Sequence, residues 1–272
     1  MENFVNRLSE VGYLKKKKMY PTDLTENQWQ YIKKTMNLKE RKRKHSLLVI
    51  WNALMYLIKT GCQWRMLPKD FPKWQLVYYY YTRWIEAGYI DLVLEKLRMK
   101  VRVKKGQRAE ASLGIMDSQS VRWGNNRGLH GIDGNKKIKG IKRHVIVDKN
   151  GFLIAVMVCV ANIHDSKAGL LLLRLLKEEL MNFRCILADA GYRGDFLDKA
   201  HRLYSYLIKV VSRDKEKYLK KEFKPVSKRW VIERTFSWFD NDRRLCRNYE
   251  LLHESSENMT KLSAIKLLLK KI

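Results

Sequence analysis

The chain has 272 residues, 46% of them hydrophobic and 11% aromatic, with only four prolines, which is the composition of a folded protein with a core and excludes a disordered polycation. Its 56 lysines and arginines against 28 acids leave a formal charge of +28, and the sequence pI is near 10.0. A folded surface with that excess binds polyanions by releasing counterions, which makes nucleic acid the leading partner ahead of a membrane surface or ribosome.

Residues 1–20 are polar, end in KKKKMY and show no period, so they are expected to form a basic N-terminal arm. The opening MENFVNRLSE has no apolar stretch of the signal-peptide kind. The longest apolar run, IAVMVCVA at 154–161, is too short to cross a bilayer. Cys62, Cys159, Cys185 and Cys246 lie far apart, without CxxC or zinc-ligand spacing, and are expected to be reduced thiols. These features together predict a cytoplasmic protein with no membrane contact.

Helical periodicity begins at PTDLTENQWQYIKKTM, where Asp23 or Thr25 offers an N-cap and Gln28 stands three after Thr25 as in a capping box. HSLLVIWNALMYLIKTG is apolar nearly all round and predicts a buried helix stopped by Gly61. CQWRMLPKDFP predicts a tight turn, after which KWQLVYYYYTRWIEAG and IDLVLEKLRMKVR return to helical spacing. Residues 21–104 are therefore expected to be a helical domain of about four helices. Within it, helical spacing predicts burial for most of the YYYY run at 78–81, with one or two of its tyrosines exposed to phosphate.

Past KKGQRAEAS the pattern becomes strand-like. SLGIMDSQSV is a short β-compatible run, and KRHVIVDKNGFLIAVMVCVAN predicts a hairpin turning at Asn150-Gly151. A helix follows at DSKAGLLLLRLLKEEL, capped by Asp165 or Ser166, then a strand at RCILAD, a short helix at DFLDKAH and a strand at YSYLIKVV. A basic loop leads to RWVIERTFSWFDNDRRLCRNYE, and a last helix closes the chain. The order predicts a mixed α and β domain over 105–272, a mixed sheet flanked by helices.

In so basic a chain the acids at strand ends are the ones to weigh. Asp117 follows the apolar run LGIM and Asp189 follows CILA, and carboxyl ends of adjacent strands converge on one crevice. Glu233 is the third candidate. At about 100° per residue, Arg229, Glu233, Ser237, Asp240 and Arg244 share a polar stripe, opposite Val231, Ile232, Trp238, Phe239 and Leu245. Clustered carboxylates stay ionised together when divalent cations sit among them, and oxygen-only donors favour Mg²⁺ or Mn²⁺. Taken singly each acid also has a plain reading: a strand-end turn for Asp117, a loop aspartate for Asp189, an i−4 pair with Arg229 for Glu233. The runs RKRKH, containing Arg41, Lys42, Arg43 and Lys44, and KKIKGIKRH, containing Lys139, Lys142 and Arg143, are dense enough to hold phosphates.

The ordered blocks TDLTENQWQYI, GCQWRMLPKDFPKWQLVYYYYTRW, MDSQSV, KKIKGIKRHVIVD, LADAGYRG, RWVIERTFSWF and RRLCRNYE resemble DDE transposases of bacterial insertion sequences, in the IS-five family. The resemblance implies a helix-turn-helix-like N-terminal domain and a ribonuclease-H-like catalytic domain. It implies that Asp117, Asp189 and Glu233 hold two Mg²⁺ ions, with Mn²⁺ an acceptable substitute. Its implied partners are double-stranded DNA, as element ends and as target, and a second copy of the chain, at work on the bacterial nucleoid. The family's signature around the glutamate carries Tyr, Arg, Glu and Lys. Here Arg229 and Glu233 match, whereas Val226 and Asp240 stand at the Tyr and Lys positions, so Arg243 or Arg244 is expected to take over the phosphate contact. The same departures leave open an inactive, end-binding repressor, and a structure-specific nuclease is a further alternative.

Overall fold

Reciprocal capping starts the chain's first helix. In the computed structural model, which describes residues 20–39, 41–177, 183, 185–189, 191–211 and 229–272, the Thr25 hydroxyl accepts the Gln28 N–H at 3.3 Å. The Gln28 side chain accepts the Thr25 N–H at 2.9 Å, opening α1 (Glu26–Thr35). Ser46 caps α2 (Leu47–Thr60), which ends at Gly61 in the left-handed region, φ 67°. A 3₁₀ turn at Trp64–Met66 precedes α3 (Trp74–Glu86) and α4 (Tyr89–Lys104), completing the four expected helices. Of the tyrosine run, Tyr81 is buried while Tyr78 and Tyr79 are exposed. The expected arm at 1–20 lies outside the described residues except for Tyr20.

The second part carries β1 (Leu113–Trp123), β2 (Gly131–Asp133), β3 (Ile138–Asp148), β4 (Leu153–Val160), α5 (Asp165–Lys177), β5 (Cys185–Ala188), α6 (Asp195–Tyr204) and β6 (Leu207–Val210). It continues with α7 (Arg229–Asp240), α8 (Arg243–Cys246), β7 (Arg247–Asn248) and α9 (His253–Leu269). β4, β3 and β1 are antiparallel neighbours, and β1, β5 and β6 are parallel ones. The β3–β4 hairpin turns at Asn150-Gly151 as expected, with Gly151 at φ 83°. Two short strands were not legible in the sequence. β2 forms inside the glycine-rich segment after β1, because the Asp133 carboxylate accepts the N–H groups of Asn135 and Lys136 and bends the chain back into β3. β7 adds to the far end of β1. Asp165, expected as a cap, is instead the first residue of α5, where the His164 carbonyl accepts the first-turn N–H groups.

The helical residues and the sheet share one apolar core. Ile32, Leu54 and Leu97 join Ile115, Val145 and Val156 of the sheet, and Ile265 and Leu268 of α9 complete it. α9 packs on α4, β4 and α2, so the last helix returns to fasten the bundle to the sheet. A second core, with Met116, Ile146, Leu172 and Phe196, fills the opposite face beneath α5 and α6. None of the four cysteines is in a disulfide. Among the described residues no helix is long and apolar enough to cross a membrane.

Behind the hairpin turn, Asp148 is completely buried and receives Arg102, itself 5% exposed, together with the N–H groups of Asn150 and Phe152. Removing one partner of such a pair strands a buried charge. Asp148→Ala is expected to lower unfolding stability by about 3–5 kcal/mol, measured by urea denaturation, whereas a surface change would cost far less.

Candidate active site

Strand alternation sorts the residues of β1 between the two cores. Ile115 enters the first core and Met116 the second, so Asp117 shares the face of Ile115 and lies on the side covered by α7. Contrary to the expectation of a strand end, Asp117 is the fifth residue of an 11-residue strand. What ends beside it is β5: the parallel register runs Ile115 to Leu187 and Met116 to Ala188, and Asp189 leaves the strand at the next step, alongside Asp117. Neighbouring strands are about 4.8 Å apart, so the two carboxylates stand side by side although 72 positions separate them. Each is oriented by a main-chain N–H: Ser118 donates to Asp117 Oδ1 at 2.7 Å and Gly191 donates to Asp189 Oδ1 at 2.7 Å.

A recess opens at this pair, lined by Ile115, Met116, Asp117, Leu187, Ala188, Asp189, Val211 and, from α7, Ile232. Val231, Ile232 and Phe239 pack α7 onto the sheet while Glu233, Ser237 and Asp240 face outward, as the helical stripe predicts. Glu233 is exposed and follows Ile232, the α7 residue that lines the recess. The stripe ends at Asp240. The helix breaks at Asn241 and Asp242, where Asp242 receives Ser263 at 2.6 Å and also Lys266 from α9.

Beyond that break Arg244 is buried, bonded to Glu250 at 2.7 Å and to the Cys62 carbonyl at 3.0 Å, so it is not the surface cation expected from the stripe. Lys142 and Arg143 are likewise inside. Lys142 sits between Asp165 at 3.1 Å and Asp133 at 3.8 Å, with Ser118 donating to Asp165 and Ser120 to Asp133. Arg143 is 1% exposed and donates to Gln119 Oε1 at 2.9 Å. Their charges are committed within the fold and leave the set available to a DNA backbone. Arg41, Lys42, Lys44, Lys139 and Arg243 remain exposed, and Arg43 is half-buried. Lys139 lies over the Trp123 ring, 4.9 Å from its centroid. Arg229 opens α7, and its side chain lies outside the described residues, as does Val226.

Residues 108–265, more than half of the chain, match a family model described as a transposase DDE domain. The chain belongs to the DDE transposase family. Residues 24–94 of the transposase match a domain of unknown function assigned to the IS4/5 family of transposases (DUF4096). A search of the curated proteins finds no match. The transposase thus has the mixed α and β, ribonuclease-H-like architecture that the ordered blocks implied, preceded by a helical segment.

The donors around the transposase's recess are carboxylate oxygens, the chemistry that suits Mg²⁺. Among the described residues, no three acid, histidine or cysteine side chains lie together as a formed metal site. The fit is thus a side-by-side pair, Asp117 and Asp189, with Glu233 on the adjoining helix. Sequence reasoning missed Gln119 and Tyr192. Tyr192 is wholly buried, and burial, then Asp165, Asp117 and Asp189, push its hydroxyl's pKa well up; its oxygen has no hydrogen-bond partner among the described residues. Gln119 was findable, since it lies two residues from Asp117 on the same strand face.

On the reverse face His144 is fully buried, with Nε2 3.3 Å from Cys159 Sγ. Burial holds its pKa down to about 4; Asp165 opposes this, and Lys142 and Lys136 add to it. The unfolded chain takes up the proton near 6.5, so the folded state is fully favoured above that pH and loses stability as pH falls from about 6.5 toward about 4. His144→Asn is expected to flatten this acid limb by up to about 3 kcal/mol in urea denaturation, with identical limbs in both proteins as the contrary result.

Proposed function

We propose that this transposase binds the ends of its element and cuts and joins DNA strands by divalent-metal-dependent phosphoryl transfer. The observation that carries the proposal is the β1–β5 register, which sets Asp117 beside Asp189 in a recess bordered by the Glu233 helix. Transposase DDE domains use divalent cations, generally Mg²⁺. Asp117, Asp189 and Glu233 would hold them here, with Mn²⁺ an acceptable substitute. Bound there, two such ions would supply Lewis acidity to an in-line displacement at phosphorus. Each transesterification conserves bond type, so no energy-carrying cofactor is called for.

The chain's own residues supply orientation. The N–H groups of Ser118 and Gly191 fix one oxygen of each aspartate. Ile115, Leu187, Val211 and Ile232 give the recess an apolar wall that limits water. The exposed cations Arg41, Lys42, Lys44, Lys139 and Arg243 would hold phosphates, with residues 21–104 engaging the element's ends. Joining two ends calls for two copies of the chain, hence a homodimer in the active complex.

Asp117→Asn, Asp189→Asn and Glu233→Gln are each expected to abolish detectable cleavage of an end duplex in Mg²⁺ while metal-free duplex binding, read by anisotropy, stays within about twofold. Full cleavage by any of the three would refute the triad. Replacing Arg41, Lys42 and Lys44 together by alanine is expected to flatten the dependence of log affinity on log salt by about 0.9 for each phosphate that these side chains neutralise. An unchanged slope would remove these residues from the interface.

A further inference from the structure

We infer that Asp240 is a positioning residue that sets the Glu233 helix against β1 through Gln119, with Arg143 behind it; the inference rests on Glu233 being a metal ligand. Asp240 is the last residue of α7 and its carboxylate accepts Gln119 Nε2 with both oxygens, at 3.0 and 3.2 Å. Gln119 Oε1 in turn accepts Arg143 Nη1 at 2.9 Å. Arg143 Nη2 donates to the Leu245 carbonyl at 3.4 Å, and the guanidinium lies 5.8 Å from the Phe239 ring of α7. One chain of polar contacts thereby joins α7, β1 and β3.

The position of this chain gives it a consequence for the site. Gln119 lies two residues from Asp117 on the same face of β1, and Asp240 lies seven residues from Glu233 on the same stripe of α7. Seven residues span about 10 Å of helix axis, so anchoring the helix at Asp240 fixes where Glu233 stands relative to Asp117. The same end of the helix is fastened again just past the break, where Asp242 is bonded to Ser263 and Lys266 of α9.

The sign of the charge at position 240 follows from Arg143. Its guanidinium is buried, and burial works against its charge while the Asp240 carboxylate supports it. Gln119 relays the support, donating to the acid and accepting from the cation. A lysine at position 240, as in the family's signature, would leave Gln119 without its acceptor and set a second cation toward a buried arginine. The acid is thus required by this chain's own interior, and phosphate contacts near Glu233 fall to other residues.

The test compares Asp240→Asn, Gln119→Leu and the double variant Gln119→Glu/Asp240→Asn, reading the Mn²⁺ concentration for half-maximal cleavage, the saturated rate and metal-free duplex affinity. Each single variant is expected to raise the Mn²⁺ requirement by about 10-fold or more with duplex affinity unchanged. The double variant moves the carboxylate one place along the chain, where it accepts from both Arg143 and the new amide, and is expected to recover most of the loss. A double variant as impaired as Asp240→Asn would overturn the inference, since the carboxylate itself would then be needed. So would weakened duplex binding with an unchanged Mn²⁺ requirement, or a Gln119→Leu protein that behaves as wild type. Glu233→Gln is assayed in parallel: normal cleavage there would sink the metal-ligand reading and leave the Asp240 link as a purely structural contact.

Discussion

The parallel pairing of β1 with β5 is the constraint on which the site depends, and apolar side chains, not the acids, hold it. Ile115 faces Leu187 across one side of the sheet, and Met116 faces Ala188 across the other. A slip of one residue would exchange the two sets, driving each into the wrong core and turning Asp117 away from α7. The acidic pair comes as a by-product of that hydrophobic register: once the strands are aligned by their buried residues, the next step along both is an aspartate. Two carboxylates so placed repel each other, and burial of the apolar residues on both faces opposes that repulsion.

Charge divides into an inner and an outer population. Arg98, Arg102, Lys142, Arg143 and Arg244 are all buried. Arg98 donates to the Leu153 carbonyl, Arg102 meets Asp148, and Arg244 ties the break after α7 to Glu250 and to the end of the bundle at Cys62. These cations are structural pins between elements distant in sequence, each matched to an oxygen. Fewer cations are left at the surface than the formal +28 suggests; Arg41, Lys42, Lys44, Lys139 and Arg243 are among the exposed ones.

Much of this was legible in the sequence because it is local. The Thr25–Gln28 capping box, the Gly61 stop, the Asn150-Gly151 hairpin and the division of α7 into a packing face and an acidic stripe all follow from spacing within a few residues. The ordered blocks also indicated the family that the match over 108–265 shows. What was not legible is what depends on partners far along the chain. Lys142 and Arg143 belong to a basic run, yet β3 is covered on both faces, so Lys142 meets Asp165 and Ile163 on one side and Arg143 meets Phe239 and Leu245 on the other. Arg244 falls on the stripe by helical angle, but the helix stops at Asp240 because Asp242 bonds to α9 instead of continuing the turn. Asp117 was placed at a strand's end, since nothing local shows that β1 continues past it to pair with β3 and, at its tip, β7. Asp240, a contradiction when judged by the stripe alone, becomes intelligible through Gln119 and the buried Arg143.

The central claim is that Asp117 and Asp189, with Glu233, form a divalent-cation site. The most direct measurement is anomalous scattering from crystals of the transposase soaked in Mn²⁺. A peak between the Asp117 and Asp189 carboxylates, reached by Glu233 and abolished in Asp117→Asn, is the result this account predicts. Density absent from that pair would contradict it.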